Sequence, residues 1–138
     1  MKYIVDSSVI VKWLNTTDEE DIDAANNLLT DAVDGKIELL TPELAKYEIG
    51  NVLLKRKQLT PNQAYISLTT AYALPITFVT ESEDLARESF SLAYNNDITY
   101  YDASFLSLAK YYKATLVTEN IKHQGKSPDV KVKSLKDY

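Results

Sequence analysis

Asp6, Glu48 and Asp102 are acids at positions where the surrounding pattern calls for apolar or turn residues. Asp6 ends the run Tyr3-Ile4-Val5, which is too short for a helix and has two β-branched residues of three, and so reads as a buried strand. A carboxylate there stands at the strand's carboxyl end, where ligand crevices form in open α/β sheets. Glu48 falls inside the apolar arc that Leu44, Ala45, Ile49, Val52 and Leu53 draw on a helix, between Leu44 and Ala45 on the helical wheel. A carboxylate facing a core is costly unless it is paired, hydrogen-bonded or bound to metal. Asp102 sits between Ala109 and Leu106 on a helix whose arc is Tyr101, Phe105, Leu108, Ala109 and Tyr112. Thr118-Glu119-Asn120 again places oxygen-bearing side chains after a strand, Thr115-Leu116-Val117. In a parallel sheet all such strand ends lie on one edge, so these groups should converge. Carboxylates gathered without histidine or cysteine make a hard-cation site suited to magnesium or manganese, and the chemistry this supports best is metal-activated water attacking a phosphodiester.

Each acid also has a plainer explanation. Asp6 suits a turn or helix cap, with Ser7 and Ser8 able to cap a helix beginning at Val9. Thr99-Tyr100-Tyr101-Asp102 fits a capping box, and an acid in the first turn favours the helix dipole. Glu48, two turns into its helix, has no such role and would need an ion pair with Lys46 or Lys12.

The elements that would position these residues alternate between strand and helix. Thr17-Asp18-Glu19-Glu20 offers a capping box for a helix from about Asp18 to Val33, closed by Asp34-Gly35. Ile37 to Leu40 reads as a second strand, and Thr41-Pro42-Glu43 as the start of a helix running to about Lys57. Thr60-Pro61-Asn62-Gln63 starts another helix, reaching about Ala73. Ile76 to Val79 is a third strand, and Thr80-Glu81-Ser82-Glu83 caps a helix ending near Tyr94. Tyr101 to Lys113 forms the next helix and Ala114 to Thr118 the strand after it. Glu119 to Asp129 reads as a loop, and Val130 to Val132 as a final edge strand. Strands recurring between helices imply right-handed crossovers and an α/β fold with a parallel sheet covered on both faces.

A length of 138 residues fits one domain. The 45% hydrophobic and 25% charged fractions are ordinary for a globular chain. No apolar run approaches the ~20 residues of a membrane span and the amino terminus lacks a signal-peptide pattern, so the expectation is no membrane association and a cytoplasmic location. With no cysteine and only His123, thiolate and histidine-rich metal sites are excluded. Three glycines leave no G-x-G-x-x-G and no phosphate loop. The net charge of -5 disfavours nucleic acid on its face. Its distribution softens that: Lys55-Arg56-Lys57 is one basic cluster, and Lys110, Lys113, Lys122, Lys126, Lys131, Lys133 and Lys136 crowd the carboxyl-terminal end. Acidity therefore does not exclude a phosphate substrate.

With these motifs in view, the chain resembles a PIN-domain ribonuclease, and most of all the VapC-type toxins of type II toxin–antitoxin pairs. The motifs are Val5-Asp6-Ser7-Ser8-Val9 with Val11-Lys12-Trp13, Pro42-Glu43-Leu44 followed by Glu48 and Asn51, Tyr101-Asp102-Ala103-Ser104-Phe105-Leu106-Ser107-Leu108-Ala109, and Leu116-Val117-Thr118. The resemblance covers nearly the whole chain and implies one PIN-like domain over residues 1–138. It implies a three-layer fold whose central parallel sheet of four to five strands is flanked by helices. It further implies magnesium- or manganese-dependent endoribonuclease activity, a homodimer, and a cognate antitoxin. On this match Asp6, Glu48 and Asp102 are the catalytic and metal-binding acids, while Ser8, Asn51, Thr118 and Glu119 support the site. Where the family commonly has an aspartate two residues after the threonine at 118, this chain has Asn120, whose amide oxygen can coordinate but brings no charge. Glu119 should face the opposite way from Asn120 on an extended segment. Two other classes fit less well. A receiver-like phosphotransfer domain would carry a paired acid where Ser7-Ser8 stand. A catalytically weakened PIN domain serving as an RNA- or protein-binding module is the stronger rival.

Overall fold

In the computed structural model, which describes residues 1–125 and 127–138 with Lys126 and the His123 side chain outside the description, the amino-terminal apolar run becomes β1 (Lys2–Val5). With β2 (Glu38–Pro42), β3 (Ile76–Val79), β4 (Thr115–Thr118) and β5 (Val132–Ser134) it forms a five-stranded sheet of order β3-β2-β1-β4-β5. All four pairings are parallel. Ile4 pairs with Leu40 on one side and Leu116 on the other, and Ile4, Val5, Leu116 and Val117 are fully buried. The chain leaves β1 through β2 and β3, then returns to the opposite side at β4. Beyond the carboxyl ends of β1 and β4 lies the switch point where such sheets open a crevice.

Helices flank the sheet. A short α1 (Ser7–Ile10) runs into a single 3-10 turn at Val11–Trp13, and α2 (Ile22–Val33) follows. Gly35, at φ +74, turns the chain out of α2, a conformation that favours glycine. Helix α3 (Leu44–Asn51) buries Ala45 and Ile49, and a wider π-helical turn at Val52–Arg56 extends it. The Thr60/Gln63 capping box forms at the start of α4 (Pro61–Ala73). Ser82 caps α5 (Glu83–Asn96), and Thr99 caps α6 (Tyr100–Tyr112). Helix α6 packs on β1 and β2 with α5 against it, so every residue from Ala103 to Ala109 is buried. Tyr101, expected on the apolar arc, is instead 60% exposed because it precedes that sandwiched stretch.

Four local expectations give way to tertiary contacts. Thr41 and Pro42 finish β2 rather than starting a helix: the buried Thr41 hydroxyl donates to the Val5 carbonyl at 2.7 Å, and Pro42 stands in register with Val79. Residues 119–129 include a short α7 (Ile121–Gln124) where a continuous loop was expected. The last strand lies two residues later than the sequence pattern places it, although Leu116 N still bonds Lys131 O. The helix expected from Asp18 begins only at Ile22, with Asp18 and Asp21 in left-handed conformations.

The cause of that last shift is Glu19. Its carboxylate meets Lys57 Nζ at 2.6 Å, Arg56 at 2.9 Å and Lys12 Nζ at 3.2 Å, with the Glu19, Lys57 and Lys12 side chains only 3%, 4% and 1% exposed. Lys57 also donates to the Thr17 carbonyl and Lys12 to that of Glu20 at 2.6 Å. The Glu19 side chain is therefore turned inward while Asp18, Glu20 and Asp21 stay exposed, and the segment runs as a strap rather than winding into a helix turn. Burial alone would raise the Glu19 carboxyl, but the hydrogen bonds from Lys57 and Lys12 and the nearby Arg56 charge outweigh it and hold the group below its ordinary range. No helix among the described residues is long and apolar enough to cross a membrane.

Glu19→Gln is expected to destabilise the fold by about 3 kcal/mol at neutral pH, because it leaves buried cations uncompensated. Since Glu19 is depressed in the folded protein, its contribution is present above about pH 4.5 and lost as pH falls through the lowered value. Thermal melts of the two proteins at neutral and acid pH should therefore converge on acidification, and parallel curves would contradict this assignment.

Candidate active site

Asp6 occupies two structural roles at once. It is the N-cap of α1, with extended backbone at φ -75 and ψ 155, and its amide donates to Val117 O at 3.0 Å, joining the end of β1 to β4. Its Oδ2 accepts from Ser8 Oγ at 2.6 Å, Ser8 N at 3.3 Å and Thr118 Oγ1 at 3.2 Å. Among the described residues Oδ1 takes no hydrogen bond. Capping thus uses one carboxylate oxygen and leaves the other, so the plain reading of Asp6 and the chemical one are compatible.

Glu48 lies on α3, half-buried between Ala45 and Ile49 in sequence, and its Oε1 accepts from Ser7 Oγ at 2.7 Å. Neither lysine considered as its ion-pair partner reaches it: Lys46 pairs with Glu43 at 2.8 Å, and Lys12 with Glu19 and Glu119. Burial raises the Glu48 carboxyl above its ordinary range; the Ser7 hydrogen bond opposes this, and the charges of Asp6 and Asp102 push it further up. Asp102, in the first turn of α6, is half-buried and its amide donates to Thr99 Oγ1 at 3.0 Å. The three acids, carried by the end of β1, by α3 and by α6, are thus near enough for their charges to repel.

Among the described residues, no three acids are gathered closely enough, as their side chains stand, to grip one ion. The carboxylates of Asp6 and Glu48 are turned onto the hydroxyls of Ser8, Thr118 and Ser7. The donor set nonetheless fits a hard divalent cation. It is all oxygen, it carries three formal charges, and it holds a carboxyl whose proton affinity is raised by its neighbours, the electrostatic stress that a cation relieves.

The remaining expected residues divide. Thr118 is buried and donates to Asp6 Oδ2, and Ser8, partly buried, donates to the same oxygen. Asn120 starts α7, its amide donating to Thr118 Oγ1 at 2.8 Å while its side chain makes no capping bond. Glu119 sends its carboxylate to Lys12 at 2.8 Å, and its amide reaches Ser8 Oγ at 3.5 Å. Asn51 is exposed at the end of α3. Of the Lys55-Arg56-Lys57 cluster, Arg56 and Lys57 are spent on Glu19, and only Lys55 is exposed without an acidic partner among the described residues. Three residues take parts that differ from those the sequence suggests: Ser7 bonds Glu48, and Lys12 and Glu19 pair with each other. Lys12 did carry a signal, a lone cation within Val9-Ile10-Val11-Lys12-Trp13, and it is buried with its charge held by Glu119 and Glu19.

Comparison with solved structures shows the same fold. VapBC2 from Rickettsia felis, bound to a promoter DNA fragment, aligns with TM-score 0.72 at 18% identity over 97% of this chain and 98% of that one. DNA-bound VapBC from Salmonella typhimurium gives 0.72 at 13% identity over 98% of both chains. Mycobacterium tuberculosis VapC20, described as a sarcin–ricin-loop-cleaving toxin, gives 0.65 at 13% identity over 83% of this chain and 86% of that one. Curated protein sequences yield no match. The family model of the PIN domain matches residues 3–125, from the middle of β1 to the end of α7, and with that span the chain belongs to the PIN domain family.

Proposed function

We propose that this chain is a divalent-metal-dependent endoribonuclease that hydrolyses RNA phosphodiester bonds, the toxin of a toxin–antitoxin pair. The observation that carries the reading is the convergence of Asp6, Glu48 and Asp102 at the carboxyl edge of the sheet, close enough that two of them raise the proton affinity of the third. Asp6, Glu48 and Asp102, with the amide oxygen of Asn120, would hold Mg2+ or Mn2+. When bound, such an ion supplies an activated water and offsets charge on the phosphate. Ser7, Ser8 and Thr118 set the directions of the Asp6 and Glu48 carboxylates through their hydroxyls.

RNA as substrate and an antitoxin as partner are supported by what the similar structures are described as, a loop-cleaving toxin and toxin–antitoxin complexes. A homodimer accords with exposed aromatic side chains such as Tyr47, Tyr72 and Tyr94, 75%, 67% and 81% exposed, of the kind enriched at interfaces. The proposed setting is the cytoplasm. Asn120 in place of an acid favours a second reading, a weakened PIN module that binds RNA or protein without cutting. Metal-dependent cleavage of a defined RNA panel by the purified chain separates the two.

Asp6→Asn, Glu48→Gln and Asp102→Asn are each expected to remove most cleavage while the fold persists. Glu48→Gln should in addition stabilise the metal-free protein. The raised Glu48 carboxyl favours folding below about pH 4.5 and loses that benefit as pH climbs through its folded value, so the gain grows toward neutrality. Cleavage that survives all three changes, or that persists in chelator, sinks the proposal.

Asn120→Asp should tighten Mn2+ binding and raise cleavage at low metal concentration, read by titrating the metal at fixed RNA. No change in either would remove Asn120 from the ligand set.

For RNA affinity, the structure directs attention to Lys55. Its neutralisation should flatten the logarithmic salt dependence by about 0.7, the value for one phosphate contact on a single strand. Lys57→Gln should instead act through folding, so a loss of slope without loss of stability there would reverse the assignment.

A further inference from the structure

Lys12 is a cation with only 1% of its side-chain surface exposed, and charges are seldom placed so deeply unless their partners are fixed. It lies between two carboxylates that belong to separate parts of the chain. Glu19 Oε1, on the strap, is 3.2 Å from its ammonium, and Glu119 Oε1, on the turn between β4 and α7, is 2.8 Å away. The Glu20 carbonyl takes a third contact at 2.6 Å. Glu119 in turn connects to the candidate active site through its own backbone: its amide points to Ser8 Oγ, which donates to Asp6 Oδ2 at 2.6 Å, and the next residue is Asn120. The Glu119 side chain is 34% exposed, and among the described residues its carboxylate pairs with Lys12 alone.

We propose that Lys12 is a positioning residue for the metal site: through Glu119 it fixes the turn that carries Asn120, whose amide bonds the Thr118 hydroxyl that in turn donates to Asp6, and it keeps the Glu119 carboxylate away from the cation. This rests on the metal-site reading given under Proposed function. A distinct sign separates it from simple electrostatics. Removing a nearby positive charge should by Coulomb's law strengthen the binding of a divalent cation. Loss of a group that orients the ligands should weaken it, by about tenfold where such outer contacts have been removed from metal sites.

The experiment is a double-mutant cycle on the full chain with Lys12→Gln, Glu119→Gln and the pair, using Mn2+ alone as probe by calorimetric titration. Both single variants should weaken Mn2+ about tenfold, with the double variant no weaker than either, and Lys12→Arg should restore most of the affinity. Unchanged or tighter Mn2+ binding by Lys12→Gln would overturn the proposal, as would additive losses in the double variant. Because Lys12→Gln also strips Glu19 of a partner and risks unfolding, Glu119→Gln carries an independent readout in metal-free protein. Hydrogen exchange at the Glu119 and Asn120 amides should accelerate by at least several-fold, while amides in β1 and α6 keep their rates. Unaltered exchange at the turn would equally overturn it. Should wild-type protein bind no Mn2+ at all, the metal-site reading fails, and this proposal with it, whatever the exchange data show about the turn.

Discussion

The arrangement depends on one hydrogen-bonded carboxylate oxygen, Asp6 Oδ2. It must satisfy the first turn of α1 through Ser8 and the end of β4 through Thr118, and both demands arise because β1 is the middle strand with neighbours departing in opposite directions. A residue with no side-chain acceptor, or one that reached less far, would leave the helix start and the strand end without this shared partner in a region with little access to water. The same oxygen thereby fixes where the other one points. Stability and chemistry are divided between the two oxygens of one side chain.

Charge is managed differently on the two sides of α1. Toward α3 and α6, Glu48 has a hydroxyl partner and two acidic neighbours, and burial together with their charges makes its ionisation costly. Toward the strap, Glu19 gathers Lys12, Arg56 and Lys57, and Glu119 shares Lys12, giving a locally compensated network. An overall charge of -5 is therefore a poor guide to the surface that a phosphate backbone would meet, because part of the basic charge is consumed internally.

Strands and caps were legible in the sequence because their causes are local. Ile76–Val79 is β-branched and aromatic, and the Thr60/Gln63 box needs only three residues of spacing. The three candidate acids stand out in the sequence as violations of those local patterns. What could not be read depends on distant partners. Thr41-Pro42 carries a good helix-start signal that loses to a hydroxyl bond with Val5, 36 residues away, and the strap at Asp18–Asp21 loses its helical turn to cations near residue 56. Ser7 looks like one of two interchangeable cap hydroxyls until Glu48, 41 residues on, claims it.

The strand order also fixes when the enzyme-like centre can exist. β1 gains its second neighbour only with β4, at Thr115–Thr118, so Asp6 has no Thr118 hydroxyl and no Val117 carbonyl until most of the polypeptide has left the ribosome. At synthesis rates of about 5–20 residues per second, several seconds separate the appearance of Asp6 from that of its partner. A chain stalled or cut before β4 would carry all three acids yet lack the strand that orients the first of them. Such a truncated chain would lack the Thr118 hydroxyl and the Val117 carbonyl that hold Asp6 in place.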